Sequence, residues 1–565
     1  MRSCICSLLL ASGLAWSQSV SSFINSEVPV AKANLLANIG PSGSQSQGAF
    51  AGVVIASPST VNPDYLFSWT RDSALVFGEL INEFTSGRDT TLRSQIDNYV
   101  GSTQQIQQIP NPSGTVTTGG LGEPKFNINE TAFTEPWGRP QRDGPALRAS
   151  ALILWADFLL SENNASYVVN TLWPLIQLDI DYVAGNWNQS TFDLWEEVDS
   201  SSFFTTAVQH RSLRLGSSLA SAIGQTSVVS GYTSQAANIL CFLQSYWNTA
   251  GFITANTGGG RSGKDSNTIL TSIHTFDASA GCDAATFQPC SDKALANLLT
   301  YVNSFQGLYT INSGIPSGQA IATGRYPEDV YFNGNPWYLT TLAVAEQLYD
   351  ALIVWNQQGS ITVTSISQPF FSLFFPSIAT GTYTSSSSTF ATLVNAIQIY
   401  ADGFVAIVAE FTPLNGGLSE QFVGTPVSAN DLTWSYAAML SVAGARNGFI
   451  PPSWGAEGLT VPSTCQRQGP TVSFTFNVQA TTVFGENIFV TGSLNELANW
   501  SPAGAVPLSA ADYPIWSVTT TLPANTNFQY KYIRIFNGVV TWESDPNLSL
   551  TTPANGTGEV NDVWR

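Results

Sequence analysis

The stretch Asn335-Pro336-Trp337-Tyr338-Leu339-Thr340-Thr341-Leu342-Ala343-Val344-Ala345, running on to Trp355 and Gly359, decides the fold class. Asn335 reads as an N-cap with proline in the first turn, the ordinary start signal of a helix. Leu342, Ala345, Tyr349, Leu352 and Trp355 then advance by three or four, and Gly359 closes the run. Comparable amphipathic runs begin near Asp72, Pro145, Ser202 and Asp431, separated by polar and aromatic loops. Residues 22 to 460 therefore predict an all-α array or barrel.

After Cys465 the period changes. Val472, Phe474, Phe476 and Val478 alternate with Thr471, Ser473, Thr475 and Asn477, the two-residue repeat of a half-buried strand. Phe528, Tyr530 and Tyr532 alternate with Gln529 and Lys531, which places Lys531 away from its aromatic neighbours. Turn signals such as Phe536-Asn537-Gly538 punctuate this tail, which predicts a small all-β sandwich. The domain reading is 1–20 signal, 21–465 helical domain, 466–470 tether and 471–565 sandwich.

A chain of 565 residues exceeds one small domain, and 43% hydrophobic with 12% aromatic residues is ample for packed cores. Only 10% of residues are charged and the net charge is −19. That balance opposes nucleic acid or an anionic membrane as partner, since both require a basic face. Sixteen Trp against two Met favour rigid planar surfaces suited to a neutral, hydroxyl-rich ligand.

Arg2, the apolar run Leu8-Leu9-Leu10-Ala11 and the small residues from Ser17 to Ser22 read as a secretory signal cleaved near residues 16–20. No later stretch has about 20 continuous apolar residues, so a soluble secreted protein is expected. Cys241, Cys282, Cys290 and Cys465 then remain, an even number that favours two disulfides. Pairing the nearest two, Cys282 and Cys290, would leave Cys241 to Cys465, but three connectivities stay open. The sequons at Asn129, Asn164, Asn188, Asn499, Asn547 and Asn555 fit the same compartment.

Two His, His210 and His274, are too few for a His-rich metal site, and neither His-Glu-x-x-His nor Gly-x-Ser-x-Gly occurs. No metal and no cofactor is implied. Gly258-Gly259-Gly260-Arg261-Ser262-Gly263-Lys264 imitates a phosphate loop, but Asp265 replaces the Ser or Thr that would hold magnesium, so it reads as a flexible surface loop. What remains is carboxylates among aromatics. Glycosidic bond hydrolysis needs two: an acid for the leaving oxygen, and a carboxylate that deprotonates water or attacks the sugar. Asp193-Leu194-Trp195-Glu196-Glu197-Val198 encloses two adjacent acids in apolar residues, where repulsion and desolvation should raise one pKa. Glu420, after Asn415-Gly416-Gly417-Leu418-Ser419, is the second candidate.

Tyr65 through Asp72, Trp137-Gly138-Arg139-Pro140, Asp193 through Val198, Arg325-Tyr326-Pro327-Glu328-Asp329 and Leu418-Ser419-Glu420-Gln421 together resemble the fungal glucoamylases of glycoside hydrolase family 15. The tail resembles a starch-binding module of carbohydrate-binding family 20. The resemblance implies an (α/α)6 barrel whose site lies in loops at one end. It also implies exo-acting, inverting release of β-D-glucose from starch, glycogen and maltooligosaccharides, more slowly at α-1,6 linkages, by a monomer. It makes Glu196 the general acid and Glu420 the general base. Tyr65, Trp69, Arg71, Asp72, Trp137, Asp193, Glu197, Arg325, Asp329, Trp337 and Trp434 become pocket residues. Trp500, Lys531, Trp542, Glu543 and Asn547 match one starch site; Tyr513 and Trp516 match a second, with Phe484 where many relatives have Tyr. Because Asn555 stands near where relatives carry a cysteine, the resemblance favours Cys241 with Cys465. Asn547, as a ligand position, is expected to carry no glycan. A retaining α-glucosidase, with closer carboxyls, and a non-catalytic starch lectin are the rival readings.

Overall fold

The computed structural model describes residues 3–463, 471–523, 526–553 and 557–565, leaving aside the side chains of 3–18, Pro426, Thr471, Asn495, Asn499 and Ala503. The chain divides into two compact units, Met1–Cys465 and Gln466–Arg565. The expected tether, 466–470, lies outside the described residues.

The first unit is helical. Its long helices alternate along the chain between an outer and an inner layer: α1 Ser3–Ala37, α2 Thr70–Thr85, α3 Arg93–Ile106, α4 Asp143–Ser161, α5 Trp173–Asn186, α6 Phe203–Ala222, α7 Thr226–Leu243, α8 Asn267–His274, α9 Asp292–Asn303, α10 Tyr338–Gln358, α11 Ser388–Phe411 and α12 Thr433–Arg446. The even-numbered helices touch in a closed ring, α2–α4–α6–α8–α10–α12 and back to α2. The odd-numbered ones pack outside it, α3 on α2, α5 on α4, α7 on α6, α9 on α8, α11 on α10 and α1 on α12. This is the expected barrel of six inner and six outer helices. Each inner helix is entered through a long connection, 38–69, 107–142, 187–202, 244–266, 304–337 or 412–432, and these connections with the first turns of α2 and α12 carry the candidate residues of this unit.

The inner helices are buried on all sides. In α10 the expected stripe of Leu342, Ala345, Tyr349, Leu352 and Trp355 is buried, but so are Thr340, Thr341, Gln347 and Asp350. A helix enclosed by other helices has no solvent face to keep polar. Its start also differs from expectation. Trp337 is the N-cap, in an extended conformation, and Asn335 instead donates its amide to the Phe332 carbonyl (2.6 Å) and Gln421 Oε1 (3.1 Å). Gly359 does close the helix, at φ 66° with its N–H on the Trp355 carbonyl. α11 is long and apolar enough on average to cross a bilayer, although Asn395, Gln398 and Asp402 interrupt its apolar run as expected. Its Leu393, Ile397, Phe404 and Val408 are buried in the helical core. α1 runs through the expected cleavage region without a break, and from Val20 onward its Val20, Ile24, Ala31 and Leu35 pack inward.

The second unit comprises β1 Thr471–Gln479, β2 Asn487–Gly492, β3 Val506–Pro507, β4 Ser509–Asp512, β5 Ile515–Pro523, β6 Asn527–Phe536, β7 Val539–Trp542, β8 Leu548–Thr551 and β9 Thr557–Val563. One sheet runs β4–β5–β1–β9, with β9 parallel to β1; the other runs β3–β2–β6–β7, with β8 also on β6. Phe474 and Phe476 of β1 meet Phe528 and Tyr530 of β6, with Phe476 and Tyr530 rings 5.2 Å apart, so the sheets face each other across an aromatic core. Asn537 (φ 49°) and Gly538 (φ 80°) turn β6 into β7 in the left-handed conformation that Asn-Gly tolerates.

Ion pairs tie the layers together, Lys32 of α1 to Glu83 of α2 and Arg446 of α12 to Asp402 of α11 among them, and one is deeply buried. Arg148 of α4 grips Asp179 of α5 through two hydrogen bonds of 2.7 and 2.6 Å, and both side chains are buried. Removing one partner strands a charge, which typically costs about 3–5 kcal/mol. Asp179→Ala should therefore lower stability by about that much in guanidinium titrations, and pairing it with Arg148→Met should restore most of the loss.

Candidate active site

The turn at 193–198 is built by one carboxylate. Asp193, fully buried, accepts the N–H groups of Glu197 (3.0 Å) and Val198 (3.2 Å) on Oδ1 and the Asn256 amide (2.9 Å) on Oδ2. Burial pushes its pKa up, and those donors hold it back. The Glu196 N–H returns to the Asp193 carbonyl at 2.8 Å, and Glu196 takes a left-handed φ of 65°. A non-glycine residue there is over-determined by its surroundings. Gly138 packs beneath: a Cβ on it would lie 2.9 Å from the Glu196 carbonyl oxygen and 2.8 Å from Phe192 Cδ1.

The turn gives the adjacent acids different partners. Glu196 Oε1 accepts from Trp69 Nε1 (2.6 Å) and Arg71 Nη2 (3.3 Å), while Oε2 has no partner among the described residues. Glu197 is clamped by Arg261 (2.5 Å) and Arg325 (3.0 Å) and accepts from the Tyr326 hydroxyl. Burial would raise the Glu197 carboxyl, but Arg325, Tyr326 and Arg261 hold it below the ordinary value. The mutual repulsion expected of the pair is thus replaced by an arginine clamp on Glu197.

Arg71 lies in the first turn of α2 and is fully enclosed. Its Nη1 donates to Gln141 Oε1 (2.8 Å) and Asp143 Oδ2 (3.2 Å), Nε approaches Asp72 at 3.7 Å, and the guanidinium lies 5.9 Å from the Trp434 ring. Asp72 is pushed up to about 6 by burial, against the pull of Arg71. Arg325 is gripped bidentately by Asp329 (2.8 and 2.6 Å) and lies about 5 Å from the rings of Trp195, Tyr326, Tyr331 and Trp337. Asp329 is itself buried against Arg325 and the Tyr331 N–H (2.8 Å), so it orients the arginine.

Glu420 is 2% exposed. The Tyr65 hydroxyl donates to its Oε1 at 3.0 Å and the Ser428 hydroxyl to its Oε2. Burial pushes its pKa up to about 7, moderated by Ser428, Tyr65 and Arg325. Tyr65 also shares a 2.8 Å hydrogen bond with the Tyr331 hydroxyl, and its ring sits 5.5 Å from that of Trp69, the partner of Glu196. The two candidate carboxylates are thereby linked through one aromatic pair. A hollow of about 610 Å³ opens here, lined by Tyr65, Trp137, Trp195, Glu196, Glu197 and Arg325, among others. Glu420 lies one hydroxyl behind its wall. Trp337 and Trp434 are 4% and 6% exposed and pack against Trp195, so they back the hollow rather than face it.

Five site residues escape sequence reasoning. Lys125 lines the hollow with its ammonium 3.6 to 4.5 Å from the rings of Trp137, Phe67, Phe133 and Trp69, and burial lowers its pKa to about 8. Tyr331 and Ser428 flank Tyr65 and Glu420. Asp265 accepts the Trp195 indole N–H at 2.8 Å, and Arg261 reaches Glu197 while stacking 3.7 Å from the Tyr326 ring. The glycine-rich stretch 258–264 is a surface loop, as expected, but it is pinned to the site. Its Ser262 N–H is held by Glu328 at 2.9 Å, and Gly259, Gly260 and Gly263 supply the positive φ values that bring Arg261 in. A signal did exist: a lone arginine among glycines in a charge-poor chain.

Residues 29–444 match the family model described as glycosyl hydrolases family 15, and 471–562 match that of a starch binding domain. The chain belongs to glycosyl hydrolase family 15. It is 60% identical to glucoamylase-1 of Schizophyllum commune over 99% of this chain and 98% of that one, and 48% identical to a glucoamylase of Neurospora crassa over 97% and 95%. It resembles the solved family 15 glucoamylase from Hypocrea jecorina with a TM-score of 0.78 at 47% identity, covering 97% of this chain and all of that one.

In this family 15 chain the starch-binding domain sorts its expected residues into exposed and internal ones. Trp542 is 41% exposed, Tyr513 51% and Phe484 fully exposed; Trp500 is half-buried and Asn547 exposed, donating to Gln529 at 2.9 Å. Trp516 is a correction. It is 4% exposed, in the aromatic core, with its indole N–H on the Ala480 carbonyl at 3.2 Å, so its ring offers no sugar-stacking face. Glu543 also faces inward, accepting the Tyr532 N–H (3.0 Å) and Arg565 (3.3 Å). Lys531 does point away from Tyr530 and Tyr532, but it is buried under the 543–545 segment and paired with Asp545.

Cys282 and Cys290 form the expected disulfide, and Cys241 is disulfide-bonded; Cys465 lies outside the described residues. Asn129 is exposed, Asn164 and Asn188 are half-buried, and Asn555 and the Asn499 side chain are outside the described set.

The contact under the 193–198 turn gives a direct test. Gly138→Ala should displace the Glu196 carbonyl and lower kcat on maltooligosaccharide about 10–100-fold with an unchanged circular dichroism spectrum, since ångström misplacement of a reacting group has that scale of effect.

Proposed function

We propose that the protein is a secreted enzyme that removes glucose one unit at a time from non-reducing ends of starch and maltooligosaccharides. It acts by a single inverting displacement that releases β-D-glucose, and attacks α-1,6 linkages more slowly. Family membership and the names of the relatives support the starch-degrading exo-glucosidase reading. The observation that carries the mechanism is the pair of carboxylates held by the two members of the Tyr65–Trp69 aromatic couple beside one arginine-lined hollow.

Glu196 acts as general acid. Trp69 and Arg71 occupy Oε1, which leaves Oε2 to carry the proton to the glycosidic oxygen. Glu420 acts as general base: it takes a proton from water, whose oxygen attacks C1 on the face opposite the departing sugar. The new C1–O bond forms as the glycosidic bond breaks, and the leaving oxygen keeps the proton from Glu196. Arg71 and Arg325 bind hydroxyls of the terminal glucose. The aromatic rim residues Trp542, Trp500, Tyr513 and Phe484 hold the enzyme on its polymer by stacking on sugar faces.

Glu196→Gln should reduce turnover of maltotriose at least 10³-fold while starch adsorption persists, and proton NMR of fresh wild-type product should show β-glucose first. Residual activity near wild type would unseat Glu196, and α-glucose would establish retention. Ser428→Ala withdraws a donor from the ionised Glu420, so its pKa rises. The acid limb of the kcat/KM profile should then move to higher pH while the alkaline limb stays in place.

A further inference from the structure

The barrel holds a second hollow, separate from the sugar pocket. The six inner helices enclose about 120 Å³, from Ala74, Leu339 and Trp434 at one end to Phe449 and Pro451 beyond α12 at the other. Three acids line it: Glu79 of α2, and Glu346 and Asp350, one turn apart on α10. Asp350 is 3% exposed and has no hydrogen-bond or ion-pair partner among the described residues. Glu346 accepts only the Ser441 hydroxyl, at 2.6 Å, and Glu79 Oε1 has no hydrogen bond and only the Arg88 guanidinium, 3.6 Å away.

The basic groups at this hollow do not pair with Glu346 or Asp350, although Arg211 Nε is buried there without a hydrogen bond. Arg211 lines it, but its Nη1 donates to the His274 carbonyl at 2.6 Å, and the acid that acts on its charge is Asp277. His274 is pushed down to about 3 by burial and the nearby Arg211, so it is neutral, and its Nε2 is buried without a partner. Arg88 is engaged by Glu83 at 2.8 Å and stacks 4.1 Å from Phe449. No cation among the described residues therefore pairs with Glu346 or Asp350. A buried carboxyl without a partner is costly, and burial accordingly raises all three acids, Glu79 to about 8 and Glu346 to about 7.

We propose that this hollow is a binding site for a small protonated amine, held by Asp350, Glu346 and Glu79. Its size suits a few heavy atoms, given that one water needs about 10–15 Å³ of such space. The apolar walls from Leu154, Leu270 and Ala438 suit methylenes. Among the described residues no three His, Cys, Asp or Glu side chains converge as a metal site would require. An ammonium group donates its hydrogen bonds to acceptors on several sides, and the three acids line the hollow from two helices, α2 and α10. Binding transfers the acids' protons to solvent, so affinity rises with pH.

The test is thermal unfolding of the full chain with ethanolammonium chloride against sodium chloride at equal ionic strength. At pH 8 the amine should raise Tm saturably by about 3 °C, and at pH 4.5, with the acids protonated, it should not. Tetramethylammonium, which has no N–H to donate, should give no rise at either pH. Asp350→Asn and Glu346→Gln should abolish the effect while leaving maltotriose hydrolysis intact. Titration calorimetry on the unmutated protein at pH 8, in two buffers of different ionisation heat, should show proton release on binding. A Tm rise that survives in Asp350→Asn would place the amine in the sugar pocket and overturn the proposal. So would equal shifts with sodium chloride or tetramethylammonium, or the lack of proton release.

Discussion

The guanidinium of Arg71 is the interaction on which the sugar pocket depends. It contacts Asp72, Asp143 and Glu196, which arrive on three different segments, and it is fully buried while doing so. Two unit charges at 4 Å interact by about 4 kcal/mol at an effective dielectric of 20, so three carboxylates converging without a cation would drive one another to protonate or move apart. Arg71 gives the three one shared cation, so they can converge on it. Arg325 does the same for Glu197 and Asp329 across the hollow. Lysine could not replace either, because each guanidinium uses several nitrogens in fixed directions at once.

The barrel supplies what the arginines need. All six inner helices begin at the same rim, where unsatisfied N–H groups carry partial positive charge and acids in the first turn are favoured. Asp72 lies in the first turn of α2 and Asp143 opens α4. The long entering connections then bring residues remote in sequence to one place. Environment differentiates the acids there. Glu420 meets hydroxyls and apolar burial, so its carboxyl is raised, whereas Glu197 meets two arginines and is lowered. Chemically identical side chains acquire different proton affinities from their neighbours alone.

Much of this was legible because periodicity is local. The alternation in β1 and β6, the Asn-Gly turn and Gly359 read correctly because each signal and its consequence lie within a few residues. The misreadings were tertiary. Asn335 looked like an N-cap, but its amide is claimed by Gln421, far along the chain. Trp516 looked like a sugar platform, yet β5 turns it into the core, and an indole that finds a buried carbonyl has little reason to face water. The 258–264 stretch looked mobile because glycine carries no packing information. What fixes it is Arg261 on Glu197, an ion pair across separate connections that no spacing rule reports.

Lys125 shows the same point in its strongest form. A buried ammonium normally implies a carboxylate partner, and among the described residues none is hydrogen-bonded to it. Four aromatic faces surround it instead, and the negative quadrupoles of those rings offset part of its desolvation. The consequence reaches Glu196. Lys125 makes no ion pair with that carboxylate among the described residues and acts on it through space, so the groups bonded to Glu196 remain Trp69 and its ion-pair partner Arg71, both on Oε1. Had the cation paired with Oε2, both oxygens of Glu196 would be held as acceptors. Wrapping the lysine in rings keeps a positive charge in the pocket while leaving Glu196 Oε2 without a partner among the described residues.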